Sequence, residues 1–401
     1  MPNALLTINA GSSSIKFGLY EQGRCCQKPL AHGGIEDIGI APRFFALGSD
    51  GAVLGEYRWP ATAKLDHEQL LKPLLAWVTS HLGDETLIAV GHRVVHGGRE
   101  FIHPVLVDAA ILSKLQALVP LAPLHQPHNI AAIQAMGALL PELPQVACFD
   151  TSFHHGMLPV AARMALPRRY EAQGMRRYGF HGLSYEYILG QLTELSPALA
   201  RGRVIVAHLG NGASLCAIRD GRSTDTTMGF TALDGLVMGT RCGSLDPGAV
   251  LYLQQAQGLS VGEVEHLLYH ESGLLGISGI SSDMRTLLAS SDRHARDAVD
   301  LFVFHVVREI GALTASMGGM DALVFSAGIG EHSAPVRAAV CEKLAWLGVE
   351  YDVEANASHN VLISTQRSQK HVFVIPTDEE AMLAAHTAEV LRYASPRAET
   401  V

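Results

Sequence analysis

Two glycine-containing hairpins, one at the start of the chain and one near its middle, constrain the fold more than any other feature. Residues 5–20 contain an apolar run, a turn of small residues and a second run in which apolar and polar side chains alternate. This pattern is typical of two antiparallel strands joined by a tight turn. Residues 203–218 repeat it, with His208 aligned on Asn9 and Gly210 on Gly11. The repeat indicates an internally duplicated protein.

The turn of each hairpin carries groups that can bind an anion. In the first, a glycine amide and three serine hydroxyls precede Lys16, and such small groups can surround an anionic oxygen. Glycine also lets the backbone approach a phosphate closely. For either turn alone, an ordinary polar turn is an equally good interpretation. Two matching turns favour a phosphate-binding protein that holds a nucleotide between its halves.

A third glycine-containing turn follows an apolar strand in residues 321–333. Gly328 and Gly330 lie in this turn, and we expect Ser333 to be the N-cap of a helix over residues 336–347. A nicotinamide-binding fingerprint would have a third glycine where Ser333 stands. The turn therefore favours contact with adenosine or ribose.

Composition limits the class of protein. With 401 residues, of which 48% are hydrophobic and 17% charged, the chain can form two domains of ordinary size. Its net charge of −9 argues against nucleic acid as a partner. Neither a membrane-spanning run nor a signal peptide is recognisable, and we expect a cytoplasmic protein. We interpret the cysteines as reduced; they are Cys25, Cys26, Cys148, Cys216, Cys242 and Cys341.

Periodicity and capping residues predict alternating helices and strands. Besides the hairpins, the strands are expected at residues 27–54, 86–95, 146–149, 222–227, 322–326 and 372–375. The helices are expected at residues 66–82, 108–118, 128–140, 247–257, 260–270, 292–317, 336–347 and 379–393. His92 and His96 lie in a strand that runs into a turn, so a zinc site is not favoured. We place the boundary between the halves at the junction of Phe149 and Asp150.

Three cations and one acid stand out as candidates for chemistry. Arg93 and Arg241 lie in glycine-flanked segments, and a guanidinium matches the geometry of carboxylate and phosphate. His181 could donate a hydrogen bond to a phosphoryl group, and Asp150 ends a buried strand. A solvated turn is an equally good interpretation of each arginine. A core histidine is the simpler interpretation of His181.

Two further acids have simple structural interpretations beside the functional ones. Asp283 follows a glycine-rich stretch and could bind nucleotide or cap a helix. Glu379 opens the last helix, where an acidic residue favours the helix dipole.

Taken together, five segments resemble the acetate kinase and propionate kinase family. They are residues 9–16, 91–98, 178–182, 208–212 and 328–331. The resemblance implies the α/β fold of the sugar kinase, Hsp70 and actin superfamily, with two duplicated ribonuclease H-like domains and a nucleotide cleft between them. It implies the reaction of ATP with acetate to give ADP and acetyl phosphate, in the presence of Mg²⁺ (or Mn²⁺ in its place), and a homodimer. The domains would be residues 1–149, joined by a final helix over 379–401, and residues 150–378, which bind nucleotide and form the dimer.

The resemblance also implies a role for individual residues. The catalytic residues would be Arg93, Asp150, His181 and Arg241, with Arg93, Val95, Leu124, Phe180 and Ala232 around the substrate. The metal would be bound by Asn9 and Glu379. The nucleotide would contact Ser12, Ser14, Lys16, His208, Leu209, Gly210, Asn211, Gly212, Asp283, Met284, Arg285, Gly328, Ile329, Gly330, Glu331 and His332.

Several positions depart from the pattern of this family, among them residues 242–244, His332 and Asp378, and two of the departures bear on the question of activity. Ala232 stands where proline is usual, in the expected pocket for the methyl group of the substrate. Arg99 is inserted between a glycine and an acid. Whether either departure alters activity stays open, as does the choice between acetate and propionate.

Two other functions remain as alternatives. A sugar kinase of the same superfamily would need an aspartate base facing a hydroxyl and a polar pocket, and the expected apolar side chains argue against it. An ATP-gated binding module would need a separate domain for its client, and none is recognisable in the sequence.

Overall fold

The computed structural model describes residues 3–11, 14–24, 28–63 and 65–394. Three residues of the predictions above, Ser12, Cys25 and Cys26, lie outside this part. The strands are β1 (Asn3–Ala10), β2 (Ile15–Glu21), β3 (Ala31–Glu36), β4 (Arg43–Gly48), β5 (Val53–Arg58), β6 (Thr86–Val94), β7 (Val105–Leu106), β8 (Gln145–Phe149), β9 (Arg203–Leu209), β10 (Ala213–Arg219), β11 (Arg222–Thr226), β12 (Ala322–Ser326) and β13 (His371–Val374).

The strands alternate with helices, which include all eight helices that the sequence predicts and others that it does not. The helices are α1 (His67–His81), α2 (Ala109–Ala117), α3 (Gln126–Leu139), α4 (Pro159–Ala162), α5 (Arg168–Ala172), α6 (Gly182–Leu195), α7 (Pro197–Ala200), α8 (Pro247–Gln255), α9 (Val261–His270), α10 (Gly273–Ser278), α11 (Met284–Ala289), α12 (Arg293–Met317), α13 (Ala327–His332), α14 (Ala334–Lys343), α15 (Val353–Ala357) and α16 (Glu379–Ala394). None of the helices in the described part is long and apolar enough to span a membrane.

The chain divides into two compact units. Unit 1 is residues 1–152 with residues 378–401, and unit 2 is residues 153–377. Unit 1 contains an eight-stranded sheet in the order β5-β4-β3-β2-β1-β6-β8-β7, and unit 2 a five-stranded sheet in the order β11-β10-β9-β12-β13.

Five strands of the larger sheet share the topology of the smaller sheet. In unit 1 the strands β3, β2 and β1 pair antiparallel, and β1, β6 and β8 pair parallel. In unit 2 the strands β11, β10 and β9 pair antiparallel, and β9, β12 and β13 pair parallel. Each glycine-containing hairpin is therefore the antiparallel pair that borders the parallel strands. The predicted α/β class with a duplicated core is confirmed.

Apolar side chains of the sheets pack against helices in each unit. In unit 1, Phe17, Phe44 and Trp77 form a three-ring cluster between the sheet and α1. The last helix, α16, packs on β1 and β6. Gly91 allows this close approach, because a Cβ at that position would lie 2.2 Å from Oγ1 of Thr387.

Three local features add to or refine the predictions from the sequence. The helix α6 was not predicted, because His181 precedes it in place of a side chain that caps helices well. The third glycine-containing turn is the short helix α13. Ser333 does occupy the N-cap position of α14, but its side chain makes no capping bond. One reason is that Pro335, in the first turn, has no N–H to donate.

Buried neutral histidines predict that acid destabilises the protein. Burial lowers the pKa of His92, His96 and His154 to about 4, below the ordinary value near 6.5. The unfolded chain therefore binds protons before the folded protein does as the pH falls. Stability is retained above pH 6.5 and is lost as the pH falls toward 4, by roughly 3 kcal/mol for each fully buried histidine.

The measurement is the free energy of unfolding, or Tm, between pH 7 and pH 4.5. His154→Gln should show a smaller decrease over this range than the wild type. The exposed His294 provides a control, because His294→Gln should follow the wild type. An equal pH dependence in His154→Gln and the wild type would contradict this prediction.

Candidate active site

In unit 1, polar side chains collect at the carboxyl ends of the parallel strands. Asn9 is near the end of β1, Arg93 near the end of β6, and Asp150 directly after β8. Because β1, β6 and β8 run parallel, these ends meet at one edge of the sheet. Ligands of open α/β sheets bind at this edge.

Arg93 forms the centre of this polar group. Its Nε donates to both carboxylate oxygens of Asp150 at 3.0 and 3.2 Å, and its Nη2 donates to Oδ2 at 2.5 Å. Its Nη1 donates to Oδ1 of Asn9 at 3.1 Å, and Oε2 of Glu379 lies 3.7 Å from Nε. The Asp150 side chain is 1% exposed. The buried acid thus holds the guanidinium in one orientation.

The charges of unit 1 act on one another. Burial by itself lowers the pKa of Arg93. The carboxylates of Asp150, Glu379 and Glu380 together raise it by more than burial lowers it, so the net shift of the pKa is upward. Burial and the neighbouring Glu379 raise the pKa of Glu380. Nδ2 of Asn9 lies 3.3 Å from Glu379 Oε2 and 3.4 Å from Glu380 Oε1. Asn9 therefore links the arginine to the two glutamates.

These oxygens suit a magnesium ion. Carboxylate and amide oxygens are the ligands that Mg²⁺ prefers, and it usually keeps several waters and binds only one or two carboxylates of the protein. Within the described residues, no group of three His, Cys, Asp or Glu side chains is arranged to hold a metal ion. Glu379 and Glu380 offer such carboxylate oxygens, and Asn9 offers an amide oxygen, which accepts a hydrogen bond from Arg93. Asn9 and Glu379 would hold a magnesium ion of this kind.

Asn129 is a residue of this edge that the sequence did not single out. It is buried on α3, its Nδ2 donates to the carbonyl of Ala10, and its Oδ1 accepts from the amide of Val95. It thus joins the end of the first hairpin strand to the segment after Arg93. The bond from His67 Nε2 to the carbonyl of Gly11, at 2.6 Å, anchors the same hairpin.

In unit 2, as in unit 1, the parallel strands end at one edge of the sheet, but different side chains lie there. The parallel strands β9, β12 and β13 end at one edge, where Ser326 pairs with His208. The turn 210–212 follows β9, and the helix α13 follows β12. The second hairpin and the third glycine-containing segment are therefore neighbours at this edge.

Two histidines are stacked beside the turn of the second hairpin. The rings of His181 and His208 are 4.1 Å apart at 17°. Nδ1 of His181 lies 2.8 Å from Oγ of Ser214, and Nδ1 of His208 lies 2.8 Å from Oγ of Ser184. Both rings are thus held by buried hydroxyl groups, and the His181 residue itself is half-buried.

The backbone of His181 is in a sparsely populated conformation. Its φ is 58°, the left-handed region, where few residues other than glycine are found. The carbonyl of Phe180 lies 2.9 Å from Nε2 of the buried His154, and the carbonyl of His181 accepts the Tyr185 amide in the first turn of α6. These contacts hold the strained residue, and strain of this kind clusters at functional sites.

Arg241 lies at the same turn as His181. A Cβ built at Gly212 would lie 2.8 Å from Arg241 Nη2 and 3.5 Å from His181 Nε2. The guanidinium is therefore packed against the glycine backbone, and Nη1 donates to the carbonyl of Ala232 at 2.6 Å. Ala232 thus holds Arg241 through its backbone, a role that its side chain does not suggest.

A pocket of about 900 Å³ lies in unit 2 beside this turn. Its size is at the upper end of the range of ligand pockets. Of the predicted nucleotide residues, those that line it are Gly210, Asn211, Asp283, Met284, Arg285, Gly328, Ile329 and His332. The sequence missed Ser282, Leu288, Ala289, Ser333 and Pro335. Leu288 and Ala289 follow Met284 and Arg285 at helical spacing, so the face of α11 could have indicated them.

Asp283 combines both of its predicted roles. It lines the pocket and it is the N-cap of α11, where Oδ1 accepts from the amide of Arg285 at 2.7 Å. The hydrogen bond from the Arg285 side chain lowers the pKa of this carboxyl to about 2.

The remaining predicted site residues lie outside the groups described so far. Lys16 is exposed on β2, Ser14 precedes that strand, and Leu209 is completely buried in β9. The carboxylate of Glu331 accepts from the amide of Thr377, so it supports the backbone. Val95 is buried and Leu124 half-buried in unit 1, and Phe180 is buried in unit 2.

A buried arginine supports the wall of the pocket. Arg337 on α14 is completely buried, and its Nη1 donates to the carbonyls of Gly330 and Glu331. Its Nε and Nη2 donate to the side chain and backbone of Asn356. Burial lowers the pKa of Arg337. The hydrogen bonds that Arg337 donates thus fix the carboxyl-terminal end of α13.

The duplicated sheets, the charged groups at their carboxyl edges and the nucleotide-sized pocket define a nucleotide-dependent phosphotransferase. The chain belongs to the acetokinase family, whose sequence model matches residues 4–385. The resemblance noted in the sequence is thereby confirmed, and the family transfers a phosphoryl group to a carboxyl group.

Relatives match along almost the whole chain. The acetate kinase of Rhodopseudomonas palustris is 53% identical over 391 residues, which cover 96% of this chain and 98% of the relative. The acetate kinase of Rhizobium meliloti is 48% identical over 389 residues, which cover 97% and 98%.

Solved structures agree with the fold. A propionate kinase from Francisella tularensis is 37% identical with a TM-score of 0.88, over 96% of this chain and 98% of that one. The acetate kinase of Porphyromonas gingivalis is 35% identical with a TM-score of 0.85, over 97% and 100%.

The packing of Arg241 against Gly212 predicts the effect of a methyl group. In Gly212→Ala the new Cβ must displace the end of the Arg241 side chain, which can move at little cost to stability. We expect kcat to fall at least tenfold, while the free energy of unfolding changes by less than about 1 kcal/mol. Steady-state kinetics and denaturant unfolding measure the two effects.

Gly190→Ala is the matched control. Gly190 lies in α6, and a Cβ built there would have no other atom within 4 Å. Alanine should therefore stabilise the helix by roughly 0.5–1 kcal/mol and leave kcat unchanged. A Gly212→Ala enzyme with the kcat of the wild type would show that the position of Arg241 does not matter.

Proposed function

We propose that this protein transfers the γ-phosphoryl group of ATP to acetate, giving ADP and acetyl phosphate by direct in-line displacement. The observation that carries the proposal is the grouping of Arg241 and the Nε2 edge of His181 at the Gly212 turn, next to the pocket of unit 2. Two donors at a glycine turn suit a phosphoryl group, whose transfer requires positioning and charge neutralisation.

Carboxylate is a good acceptor for this chemistry. It is already ionised and nucleophilic at neutral pH, so the enzyme needs no strong base. The contacts described above support the roles that we assign. Arg241 binds the transferring group and His181 donates to it. The pocket residues of α11 and α13 contact the adenosine, and the turn after β9 contacts the phosphates.

In unit 1, we assign the acceptor and the metal. Arg93 neutralises the acetate carboxylate, and Asp150 acts through Arg93, because both of its oxygens accept hydrogen bonds from that guanidinium. Asn9 and Glu379 bind Mg²⁺, which supplies neutralisation of phosphate charge when bound. Lys16, on the second strand of the first hairpin, contributes a further positive charge toward the phosphates.

The methyl group of the substrate needs an apolar wall, for which Val95, Leu124, Phe180 and Ala232 are the candidates. The small side chain of Ala232 leaves room for about one or two methylenes where proline is usual. Propionate is then a second substrate, consistent with the presence of both a propionate kinase and acetate kinases among the similar structures. We further propose a homodimer formed through unit 2, and a cytoplasmic location.

The first test is a hydroxamate assay, which traps acyl phosphates, with acetate, propionate, butyrate and a sugar as acceptors. We expect product with acetate and propionate. Arg241→Leu and Arg93→Leu should each lower kcat by roughly 10²–10³, with a much smaller change in the affinity for ATP, because their contacts strengthen in the transition state.

Arg308→Leu serves as the control, because Arg308 lies on the surface of α12 and pairs with Glu309. It should keep the wild-type kcat. Phosphorylation of the sugar alone would favour the sugar-kinase alternative and overturn the proposal. A wild-type kcat in either leucine variant would remove that arginine from the site.

Ala232→Pro tests the substrate pocket. The ring would occupy the added space, and each buried methylene contributes roughly 0.8 kcal/mol. Wild-type kcat/KM for propionate should lie within about tenfold of that for acetate, because one methylene separates substrates only weakly. The variant should shift this ratio toward acetate.

The carbonyl of residue 232, which accepts from Arg241, is retained in the proline variant. We therefore expect its kcat with acetate to stay near the wild-type value. A wild type that prefers acetate by more than a hundredfold would show that Ala232 does not enlarge the pocket.

A further inference from the structure

His181 is tied to two buried hydroxyl groups in series. Its Nδ1 lies 2.8 Å from Oγ of Ser214 on β10, and that oxygen lies 2.5 Å from the hydroxyl oxygen of Tyr185 on α6. Ser214 and Tyr185 are both 0% exposed. Among the described residues, neither hydroxyl has another hydrogen-bond partner. The series therefore ends at Tyr185.

This geometry limits where the protons can be. The Tyr185 proton has one acceptor within reach, the oxygen of Ser214. Once Tyr185 donates to it, the Ser214 proton has one acceptor left, Nδ1 of His181. Both hydroxyl donors are then satisfied. Because Nδ1 accepts, the neutral imidazole carries its own proton on Nε2.

The other placements each leave a buried proton without an acceptor. If Nδ1 carried a proton and donated to Ser214, either the proton of Ser214 or that of Tyr185 would have no partner. An unmade buried hydrogen bond of this kind disfavours a state by roughly 5- to 150-fold. The Nδ1–H tautomer and the imidazolium both require such a placement.

One neighbouring charge also disfavours the imidazolium. The guanidinium of Arg241 shares the Gly212 turn with Nε2 of His181, and a nearby cation disfavours a protonated imidazole. The His208 ring is stacked on the ring of His181, and Nδ1 of His208 is held by the hydroxyl of Ser184. Facing Tyr185 are the neutral His154 ring and the thiol of Cys216, whose pKa burial raises to about 12.

We propose that Ser214 is a positioning residue that fixes His181 as the neutral imidazole with its proton on Nε2, and that Tyr185 orients the Ser214 hydroxyl by donating to it. Burial raises the pKa of Tyr185 well above its ordinary value, so it remains a donor throughout the working range.

The kinetic consequence rests on the proposed function. A neutral His181 with its proton on Nε2 donates a hydrogen bond toward the Gly212 turn without giving up a proton. It can therefore stabilise charge on a transferring phosphoryl group in every cycle, with no protonation step to precede the reaction.

Nitrogen NMR of the full-length enzyme with ¹⁵N-labelled histidine tests the tautomer directly. The signals of His181 are assigned by their loss in His181→Asn. At pH 7 and without substrate, we expect Nε2 to be protonated and Nδ1 unprotonated. Because this measurement needs no turnover, it is independent of whether the proposed reaction is correct.

Two variants that each remove one hydroxyl separate the roles. In Tyr185→Phe, Ser214 still has only His181 to donate to, so the tautomer should persist. In Ser214→Ala, Nδ1 loses its partner, and a measurable Nδ1–H fraction should appear. We expect kcat in Ser214→Ala to fall about tenfold with KM for ATP and acetate within twofold, and a smaller loss in Tyr185→Phe.

A folding defect in Ser214→Ala can be distinguished from the proposed effect. That variant leaves the Tyr185 proton without an acceptor, whereas the double variant Ser214→Ala/Tyr185→Phe removes both polar groups and should recover stability. The double variant should still show the mixed tautomers and the lower kcat. A wild-type His181 protonated on Nδ1, or a double variant with the wild-type tautomer and kcat, would overturn the proposal.

Discussion

The parallel pairing of each glycine-containing hairpin strand with the strand beside it is the constraint on which the rest of the structure depends. β1 pairs with β6, and β9 pairs with β12. Parallel strands end at the same edge of a sheet, so each pairing brings a hairpin turn next to the end of a distant strand. In unit 1 this edge carries Arg93 and its acids. In unit 2 it carries the histidines, Arg241 and the wall of the pocket.

Buried polar residues then hold these edges in place. Asn129 connects two chain segments in unit 1 through both ends of its amide, and Arg337 uses its fork of donors on the end of α13. Ser214 does the same for one imidazole. A polar group in a core is costly unless it is satisfied. Each network therefore has one favourable geometry. That geometry fixes the positions of the residues that we propose to contact the ligand.

Much of the fold could be predicted because its signals are local. The capping box of Asp66 and Gln69 starts α1, and alternating side chains define the hairpins. The helix α6 escaped prediction because it follows a strained histidine without a capping side chain. Similarly, Ala232 was singled out for the size of its side chain, while the contact seen in the structure comes from its carbonyl.

The sequence by itself determined the types of residue available and their order: glycines at the turns, two arginines in glycine-flanked segments, and the repeat that makes two sheets. Only the tertiary structure decided which groups meet. Arg93 and Asp150 are 57 positions apart, and Tyr185 and Ser214 are 29 apart. Their contacts depend on the register of the sheets and on how helices pack on them, which a linear pattern does not specify. A proton on one nitrogen of His181 is thus a property of the fold.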